Sequence, residues 1–273
     1  MPELPEVETV CRGLRPLIVG QTVERIEVRI DKLRWPISPE LRLLLPGQSV
    51  LSVARRAKYI LIEVERGVLM IHLGMSGVVR VVKNETVLKK HDHVDLVFSN
   101  GTCLRMNDPR RFGAWLWSDG AVESHPRIRH LGPEPLSENF NASSLYQLAH
   151  NRRVAVKNFI MDQKVVVGVG NIYASEALFR AGVDPMRPAG EISLARYEKL
   201  VDAIKAVLTE SIKQGGTTIR DFISAEGSPG YFAQKLLVYG REEQPCVICS
   251  EPIRNRRIGG RSSFYCPNCQ KYK

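Results

Sequence analysis

The chain has 273 residues, of which 44% are hydrophobic and 25% are charged, proportions typical of a globular protein with two domain cores. Lysine and arginine (39) exceed aspartate and glutamate (29), and the formal net charge of +10 favours a polyanionic partner such as nucleic acid. No apolar run reaches the roughly 18 residues of a membrane span, and the acidic start is unlike a secretory signal, so we expect a cytoplasmic protein with no membrane partner.

The first six residues, Met1–Glu6, place two prolines beside two carboxylates. Removal of Met1, which a small second residue permits, would leave Pro2 with a free secondary amine that titrates near roughly pH 8. Such an amine is nucleophilic and can form an iminium ion with a carbon at the aldehyde level. Glu3 is near enough to transfer a proton in that step, and Glu6 could orient the backbone or the amine. An ordinary disordered start is the alternative.

The segments up to about residue 120 predict one helix followed by many strands. Pro5 suits a first helical turn, and apolar residues then recur at helical spacing. Alternating segments predict strands over residues 23–30, 52–64, 67–73, 94–98 and 102–106. Asn100-Gly101 provides the hairpin turn between the last two. We therefore predict an N-terminal β-sandwich domain over residues 1–120.

Several polar motifs interrupt these strands. Residues 55–59 (Arg-Arg-Ala-Lys-Tyr) are typical of a solvated strand edge. Residues 72–77 end in glycines that place Met75 at a loop tip, and residues 108–113 form a turn with two arginines and an aromatic. By sequence alone, either could be core or surface. We do not interpret His91-Asp92-His93 as a metal site, because two histidines so close before a strand are more often structural.

Residues 121–140 are polar and rich in proline, which predicts a linker. Helices are then predicted over residues 142–150, 154–161, 172–181 and 193–214, within a helical domain spanning 141–238. Val167–Asn171 lacks the final glycine of a dinucleotide fingerprint, but a glycine turn that opens a helix exposes amides suited to a phosphate oxygen. Residues 215–231 are typical of a flexible surface loop.

The C-terminal segment, residues 239–273, contains two Cys-x2-Cys pairs separated by sixteen residues. This spacing predicts one structural zinc ion held by four thiolates, Cys246, Cys249, Cys266 and Cys269. The remaining cysteines stand alone in apolar patterns, which favours reduced thiols over disulfides. Several arginines between the pairs would form a cationic tip on a small hairpin, which can bind phosphates.

The opening sequence, residues 1–8 (Met-Pro-Glu-Leu-Pro-Glu-Val-Glu), resembles that of the bacterial formamidopyrimidine-DNA glycosylases, which excise oxidised purines. The related endonuclease VIII group usually has glycine in place of Leu4. The later motifs extend the resemblance over essentially the whole chain. It implies an α+β fold, in which an N-terminal β-sandwich with flanking helices precedes a helix-two-turns-helix domain that ends in a β-hairpin zinc finger.

The resemblance also implies residue roles. Four residues match catalytic positions: Pro2, Glu3, Lys58 and Arg261. Three match the side chains that fill the space of an extruded nucleotide: Met75, Arg110 and Phe112. Three match positions that contact DNA: His91, Arg152 and Asn171. Residues 215–231 would form a lid over the extruded base. Met106-Asn107 and Asn158, which stands where proline is usual, depart from the family pattern.

We therefore expect a monomeric glycosylase and lyase, located with the bacterial nucleoid, that removes 8-oxoguanine and formamidopyrimidines from duplex DNA and then cleaves the strand by β,δ-elimination. Two alternatives remain open at the level of the sequence. An endonuclease VIII-like enzyme for oxidised pyrimidines is disfavoured by Leu4. A zinc-finger DNA-binding protein without catalysis would explain the charge and the cysteines but would leave Pro2 and Glu3 without a role.

Overall fold

A computed structural model describes residues 2–215 and 236–271. The described chain divides into two compact units, with the division after Arg129. The first unit contains residues 2–129 and Gly215, and the second contains residues 130–214 and 236–271. Within the described residues, no helix combines the length and the apolar character needed to cross a membrane.

The first unit begins with helix α1 (Leu4–Ile18), followed by strand β1 (Val23–Val28) and the single turn α2 (Leu41–Leu44). The apolar face of α1 that the sequence predicts is buried at Val7, Cys11 and Leu14. Proline at the start of α1 removes a backbone donor that would have had no partner inside the helix.

Seven further strands complete this unit: β2 (Val50–Arg56), β3 (Tyr59–Val64), β4 (Gly67–His72), β5 (Val78–Lys83), β6 (Asp92–Phe98), β7 (Thr102–Asn107) and β8 (Ala114–Ser118). Together with β1 they form two antiparallel sheets with the strand orders β1-β6-β7-β5 and β2-β3-β4-β8. Side chains from both sheets and from α1 share one apolar core. This confirms the predicted sandwich.

The prediction of one strand over residues 52–64 is wrong. The chain turns between β2 and β3 at Ala57, which has a φ of 54°, and the two strands pair with each other as Arg56 to Tyr59. Alternating apolar residues run through both strands, so their pattern does not reveal the turn. Strands β5 and β8 were not predicted.

The second unit contains four helices: α3 (Ala142–Ala149), α4 (Val156–Met161), α5 (Asn171–Arg180) and α6 (Leu194–Lys213). Asn141 caps α3 by accepting a hydrogen bond from Ser144 N at 3.0 Å. Apolar residues from all four helices form the core of this unit. Ser193 precedes α6, but its side chain makes no capping bond.

The second unit ends in an antiparallel hairpin of strands β9 (Arg254–Ile258) and β10 (Arg261–Tyr265). Gly259 and Gly260 form its turn with φ values of 56° and 77°, a region that favours glycine. A small apolar cluster joins this hairpin and the cysteine segments to Phe179 of α5. The hairpin therefore packs on α5. The predicted helical and zinc-finger parts of the α+β fold are confirmed.

Candidate active site and nucleic-acid interface

Side-chain contacts fix α1 along β2. Glu8 Oε2 accepts from Arg55 Nε at 3.1 Å, and Arg15 Nε donates to Val53 O at 2.8 Å. Along the helix Arg15 follows Glu8, whereas along the strand its partner Val53 precedes Arg55, so the two elements run in opposite directions. The start of α1 therefore lies at the end of β2, where Lys58 follows.

Pro2 and Glu3, at the start of α1, are both buried, and Glu3 is only 3% exposed. Glu6 is also buried, and its Oε2 accepts a hydrogen bond from Glu3 N at 2.8 Å. This bond fixes the backbone of the proposed proton donor against the first turn of the helix. The sequence prediction that Glu6 orients the backbone here agrees with this geometry.

Lys58 lies in the turn between β2 and β3 and is 7% exposed. Arg55 supports the turn by donating from Nη1 to Ala57 O at 2.9 Å, while its Nε is paired with Glu8 of α1. Strand β2 does lie at the edge of its sheet, as the sequence suggests for residues 55–59, but residues 57–59 are buried, so the expectation that this segment is solvated is wrong there. Packing of α1 covers this end of β2, which sequence periodicity does not reveal.

His72, at the end of β4, was missed by the sequence analysis. It pairs across the sheet with Tyr59, and the two rings meet edge to face with centroids 4.9 Å apart. Its Nδ1 accepts from Gly74 N at 2.9 Å. Burial, reinforced by the positive charges of Lys58 and Arg34, lowers the pKa of His72 from 6.5 to about 4. The ring is therefore neutral at pH 7, with its proton on Nε2.

Two loops bring Met75, Arg110 and Phe112 to the surface of the first unit. Met75 and Phe112 are each 42% exposed, and the guanidinium of Arg110 lies over the Phe112 ring at 4.9 Å. Gly74 has a φ of +66°, and a Cβ there would lie 2.3 Å from the Phe112 carbonyl carbon. Only glycine therefore lets the two loops approach so closely.

Asp108 holds these loops together, although no sequence motif indicates a role for it. It is fully buried, and its carboxylate accepts from Ser76 Oγ and from Gly113 N, both at 2.7 Å. Asp108 N also donates to the carbonyl of His91 at 3.0 Å, and His91 has a φ of 74°. The predicted DNA-contacting residue His91 is thereby fixed beside the loops of Met75 and Phe112.

In the second unit, Asn171 opens α5 and joins a buried polar cluster. Lys157 of α4 is fully buried and donates from Nζ to Asn171 Oδ1 at 2.6 Å, to Ser262 O at 3.0 Å and to Ser263 Oγ at 2.6 Å. Asn171 Nδ2 donates to the same Ser262 carbonyl at 2.9 Å. The orientation of the Asn171 amide is therefore fixed against the hairpin.

Arg261 directly precedes this cluster at the start of β10, and its side chain is exposed. On the other side of the hairpin turn, Gly259 lies against the Asn158 side chain, and a Cβ at Gly259 would be 2.5 Å from Asn158 Nδ2. Arg152 is exposed in the loop after α3. Among the contacts of the described residues, none joins Arg152 to Asn171 or Arg261.

The four cysteine sulfurs form a compact cluster whose atoms all lie within 4.8 Å of one another. Three of the sulfur pairs are 3.5 to 3.8 Å apart. A tetrahedral zinc ion with Zn–S bonds of about 2.3 Å would give separations of about 3.8 Å. Two sulfurs also accept from backbone amides, Ile248 N to Cys246 and Cys269 N to Cys266, both at 3.4 Å. The donor set fits one closed zinc site, which confirms that prediction.

Each unit thus presents features of one kind of protein. The first has a buried proline and carboxylate at a helix start and two loops with apolar and cationic tips. The second has a glycine turn before α5 and a cationic hairpin fixed by a four-thiolate zinc site. An apolar side chain beside an arginine can fill the gap that an extruded nucleotide leaves in the base stack. Together these features define a zinc-containing DNA glycosylase.

Three family profiles match the chain. The formamidopyrimidine-DNA glycosylase N-terminal domain matches residues 1–115, the H2TH domain of the same enzymes matches residues 131–223, and a zinc finger found in FPG and IleRS matches residues 243–271. A formamidopyrimidine-DNA glycosylase of Syntrophotalea carbinolica is 55% identical over 271 residues, which are 99% of this chain and 100% of that protein. The chain belongs to the formamidopyrimidine-DNA glycosylase family.

Solved structures of Fpg proteins support the same family assignment. The MutM (Fpg) protein of Thermus thermophilus is 38% identical, with a TM-score of 0.87 and coverage of 98% of each chain. A Lactococcus lactis FPG mutant in complex with DNA containing Fapy-dG is 32% identical, with a TM-score of 0.92 and coverage of 99% of this chain and 100% of that one. These likenesses favour the oxidised-purine enzyme over both alternatives considered from the sequence.

Proposed function

We propose that this protein removes 8-oxoguanine and formamidopyrimidines from duplex DNA with Pro2 as the nucleophile, and that it then cleaves the strand as a lyase. The observation that carries this proposal is the burial of Pro2 and Glu3 at the start of α1, at the same end of β2 as Lys58. The polypeptide must first lose Met1, because only then is the Pro2 nitrogen a free secondary amine.

In the first reaction, the Pro2 nitrogen forms a bond to C1′ of the extruded nucleotide while Glu3 donates a proton to the sugar ring oxygen. The bond from C1′ to the damaged base breaks, and the base takes up a proton as it leaves. Loss of the Pro2 N–H proton and opening of the sugar ring give an iminium ion.

The iminium ion withdraws electrons and acidifies C2′. Removal of a C2′ proton expels the 3′ phosphate by β-elimination, and a second elimination expels the 5′ phosphate. Lys58 and Arg261 assist these steps as cations that stabilise the departing phosphates. Water then releases Pro2 from the sugar fragment. Zinc supplies no step in this sequence, since four thiolates close its coordination shell and leave it to hold the hairpin.

His72 adds a neutral donor beside Lys58. Its Nδ1 already accepts a hydrogen bond, and its lowered pKa keeps the ring uncharged, so Nε2–H is available for a phosphate oxygen of the flipped nucleotide. Met75 and Phe112 fill the vacated space in the base stack, and Arg110 faces the orphaned base. His91, Arg152 and Asn171 bind backbone phosphates. Residues 216–231 of the expected lid lie outside the described residues.

The partner is duplex DNA with an oxidised base, and the net charge of +10 supplies the sequence-independent part of the affinity. Because the substrate is chromosomal, we also propose a cytoplasmic location with the bacterial nucleoid. The proposed enzyme acts as a monomer with one zinc ion.

Borohydride trapping tests the mechanism, since it reduces the iminium ion to a stable covalent adduct. We expect an adduct with a duplex containing 8-oxoguanine and much less with one containing thymine glycol. The reverse preference would support an endonuclease VIII-like activity, and no adduct with either duplex would refute the Pro2 mechanism. Intact-mass measurement of the same preparation shows whether Met1 has been removed.

The variant Glu3→Gln tests whether Glu3 is the proton donor. It preserves the size of the side chain but removes the acidic proton, so we expect loss of base excision while binding to a duplex with a stable abasic analogue remains largely intact. Retention of normal excision by this variant would exclude Glu3 as the proton donor.

A further inference from the structure

Two arginines stack on one tryptophan in the first unit, outside all the residues assigned above. The guanidinium carbons of Arg34 and Arg127 lie 4.8 and 4.2 Å from the centroid of the Trp35 ring. Arg34 and Trp35 belong to a turn closed by a hydrogen bond from Leu33 N to Trp35 O at 3.1 Å, whereas Arg127 follows β8. We refer to Arg34, Trp35 and Arg127 as the arginine–tryptophan stack.

The arginine–tryptophan stack concentrates positive charge on one ring. Both arginines are exposed, and within residues 2–215 and 236–271 neither forms a salt bridge with an aspartate or a glutamate. Other arginines of the same unit are neutralised, such as Arg29 by Asp95 at 2.6 Å and Arg80 by Asp92 at 2.7 Å. Bringing two cations to one ring without a carboxylate is unfavourable, and an added anion would relieve it.

The geometry suits a phosphate in particular. A guanidinium that stacks through its face on an indole keeps its N–H groups at the edge, in the plane where a phosphate oxygen can accept two of them. Stacking also restricts the arginine side chains before a ligand arrives, so less conformational entropy is lost on binding.

The stack adjoins the loop of Phe112. Arg34 N donates to Gly113 O at 2.9 Å, and Gly113 follows Phe112 directly. Burial raises the pKa of Tyr59, and the positive charges of Arg127 and Arg34 oppose that rise. Tyr59 in turn contacts His72. The stack is therefore continuous with the surface proposed to receive the flipped nucleotide.

We propose that the arginine–tryptophan stack is an additional phosphate-binding site, which holds the DNA backbone next to the wedge formed by Met75 and Phe112. This inference rests on the proposed function, because it takes duplex DNA as the partner. Each arginine contacts one backbone phosphate, and Trp35 holds the two guanidiniums in place. The site strengthens and orients binding but takes no part in bond breaking.

The salt dependence of DNA binding measures phosphate contacts directly. The probe is a duplex that contains a tetrahydrofuran abasic analogue, and its dissociation constant is measured over a series of NaCl concentrations. Each lost phosphate contact should reduce the slope of log K against log salt by about 0.9. We expect this reduction in Arg34→Gln and in Arg127→Gln, and about twice as much in the double variant. The variant Arg34→Lys with Arg127→Lys keeps both charges and should retain most of the wild-type slope.

Arg66→Gln is the matched control, because it removes the same charge from an exposed turn between β3 and β4, at the opposite end of that hairpin from Tyr59 and His72. It should leave the slope unchanged. A double glutamine variant that is folded by its melting curve yet has the slope of the Arg66 control would overturn the inference. Failure of the wild-type protein to form a borohydride adduct would instead refute the Pro2 mechanism, so the two failures are distinguishable.

Discussion

Lys157 donates a hydrogen bond to Asn171 at 2.6 Å, and both side chains also bind the carbonyl of Ser262 in the zinc-bearing hairpin. One buried ammonium group therefore joins α4, the start of α5 and strand β10. Because Arg261 directly precedes Ser262, the same contacts fix the backbone from which its exposed guanidinium extends. The position of the Asn171 side chain and of the backbone that carries Arg261 thus depends on one fully buried lysine.

Replacing Lys157 with methionine should weaken both folding and DNA binding. The change leaves three oxygen acceptors without their charged donor, which should lower the free energy of unfolding by about 2–4 kcal/mol. Urea denaturation measures this loss. Affinity for abasic-analogue DNA should also fall, because the Asn171 amide can rotate, while the zinc content should remain at one ion per chain.

Lys164→Met is the control for this change, since Lys164 is exposed in the same unit. It should be nearly neutral in stability and in binding. A Lys157 variant that binds DNA as tightly as the Lys164 variant would contradict the positioning role.

The histidine at the end of β4 predicts a pH dependence of stability. The pKa of His72 falls from 6.5 to about 4 in the folded protein, mainly because the ring is buried. As the pH drops through 6.5, the unfolded chain takes up a proton that the folded protein does not bind until about pH 4. Stability should therefore decrease with falling pH across this window, by at most about 1.4 kcal/mol per pH unit for this group.

The measurement is urea unfolding of the wild type and of His72→Gln between pH 4.5 and 7. The variant should show a flatter dependence on pH. The pKa values of His93 and His125 are lowered by burial as well, so the wild-type slope includes their contributions and the informative quantity is the difference between the two proteins. His150→Gln alters an exposed histidine and should have the wild-type slope. Identical slopes for the His72 and His150 variants would contradict the burial argument.

Local patterns predicted much of this fold. The helix of residues 4–18, the hairpin at Asn100-Gly101 and the four-cysteine cluster each depend on residues close in sequence or on fixed spacing. What they did not predict depends on contacts between distant segments. The turn at Ala57 is stabilised by Arg55, which is itself held by Glu8 from α1, and no pattern within residues 52–64 contains that information.

The same limit applies to the site. Pro2 and Glu3 could be proposed from the sequence because a secondary amine next to a carboxylate has unusual chemistry wherever it occurs. His72, Asp108 and Lys157 have ordinary sequence surroundings, and their importance comes from partners 13, 32 and 106 positions away, which are Tyr59, Ser76 and Ser263. An Asp-Pro-Arg-Arg turn is a weak signal for Asp108, because it indicates a turn but not the second loop that the carboxylate holds.

Loss of zinc should affect the second unit selectively. Cys249→Ser removes one of four ligands, and a hairpin of this size has too small a core to fold without its metal. We expect zinc content near zero and loss of DNA binding, because the arginines of the hairpin lose their fixed positions. Circular dichroism should retain the strand signal of the sandwich. Cys103→Ser, in a β strand of the first unit, should keep its zinc, and loss of metal there would argue against the assigned ligand set.

The buried carboxylate of Asp108 offers a test of the wedge that is separate from the chemistry. Asp108→Asn keeps the size of the side chain but replaces one carboxylate oxygen with an NH2 group. In the wild type, Ser76 Oγ–H and Gly113 N–H each donate to a carboxylate oxygen at 2.7 Å, so in the variant one of these donors would face the NH2 group. The unsatisfied pair should cost about 1–3 kcal/mol and separate the loops of Met75 and Phe112.

Excision of 8-oxoguanine from a duplex requires the nucleotide to leave the stack, whereas strand cleavage at an abasic site in single-stranded DNA does not. Asp108→Asn should therefore lose much more of the first activity than of the second, as measured by single-turnover kinetics on the two substrates. Ser76→Ala removes only one of the two hydrogen bonds to the carboxylate and should show the same imbalance to a smaller degree. Equal losses on both substrates would mean that Asp108 supports the fold near Pro2 and not the wedge, because a misplaced wedge cannot slow cleavage of a strand that has no stack to fill.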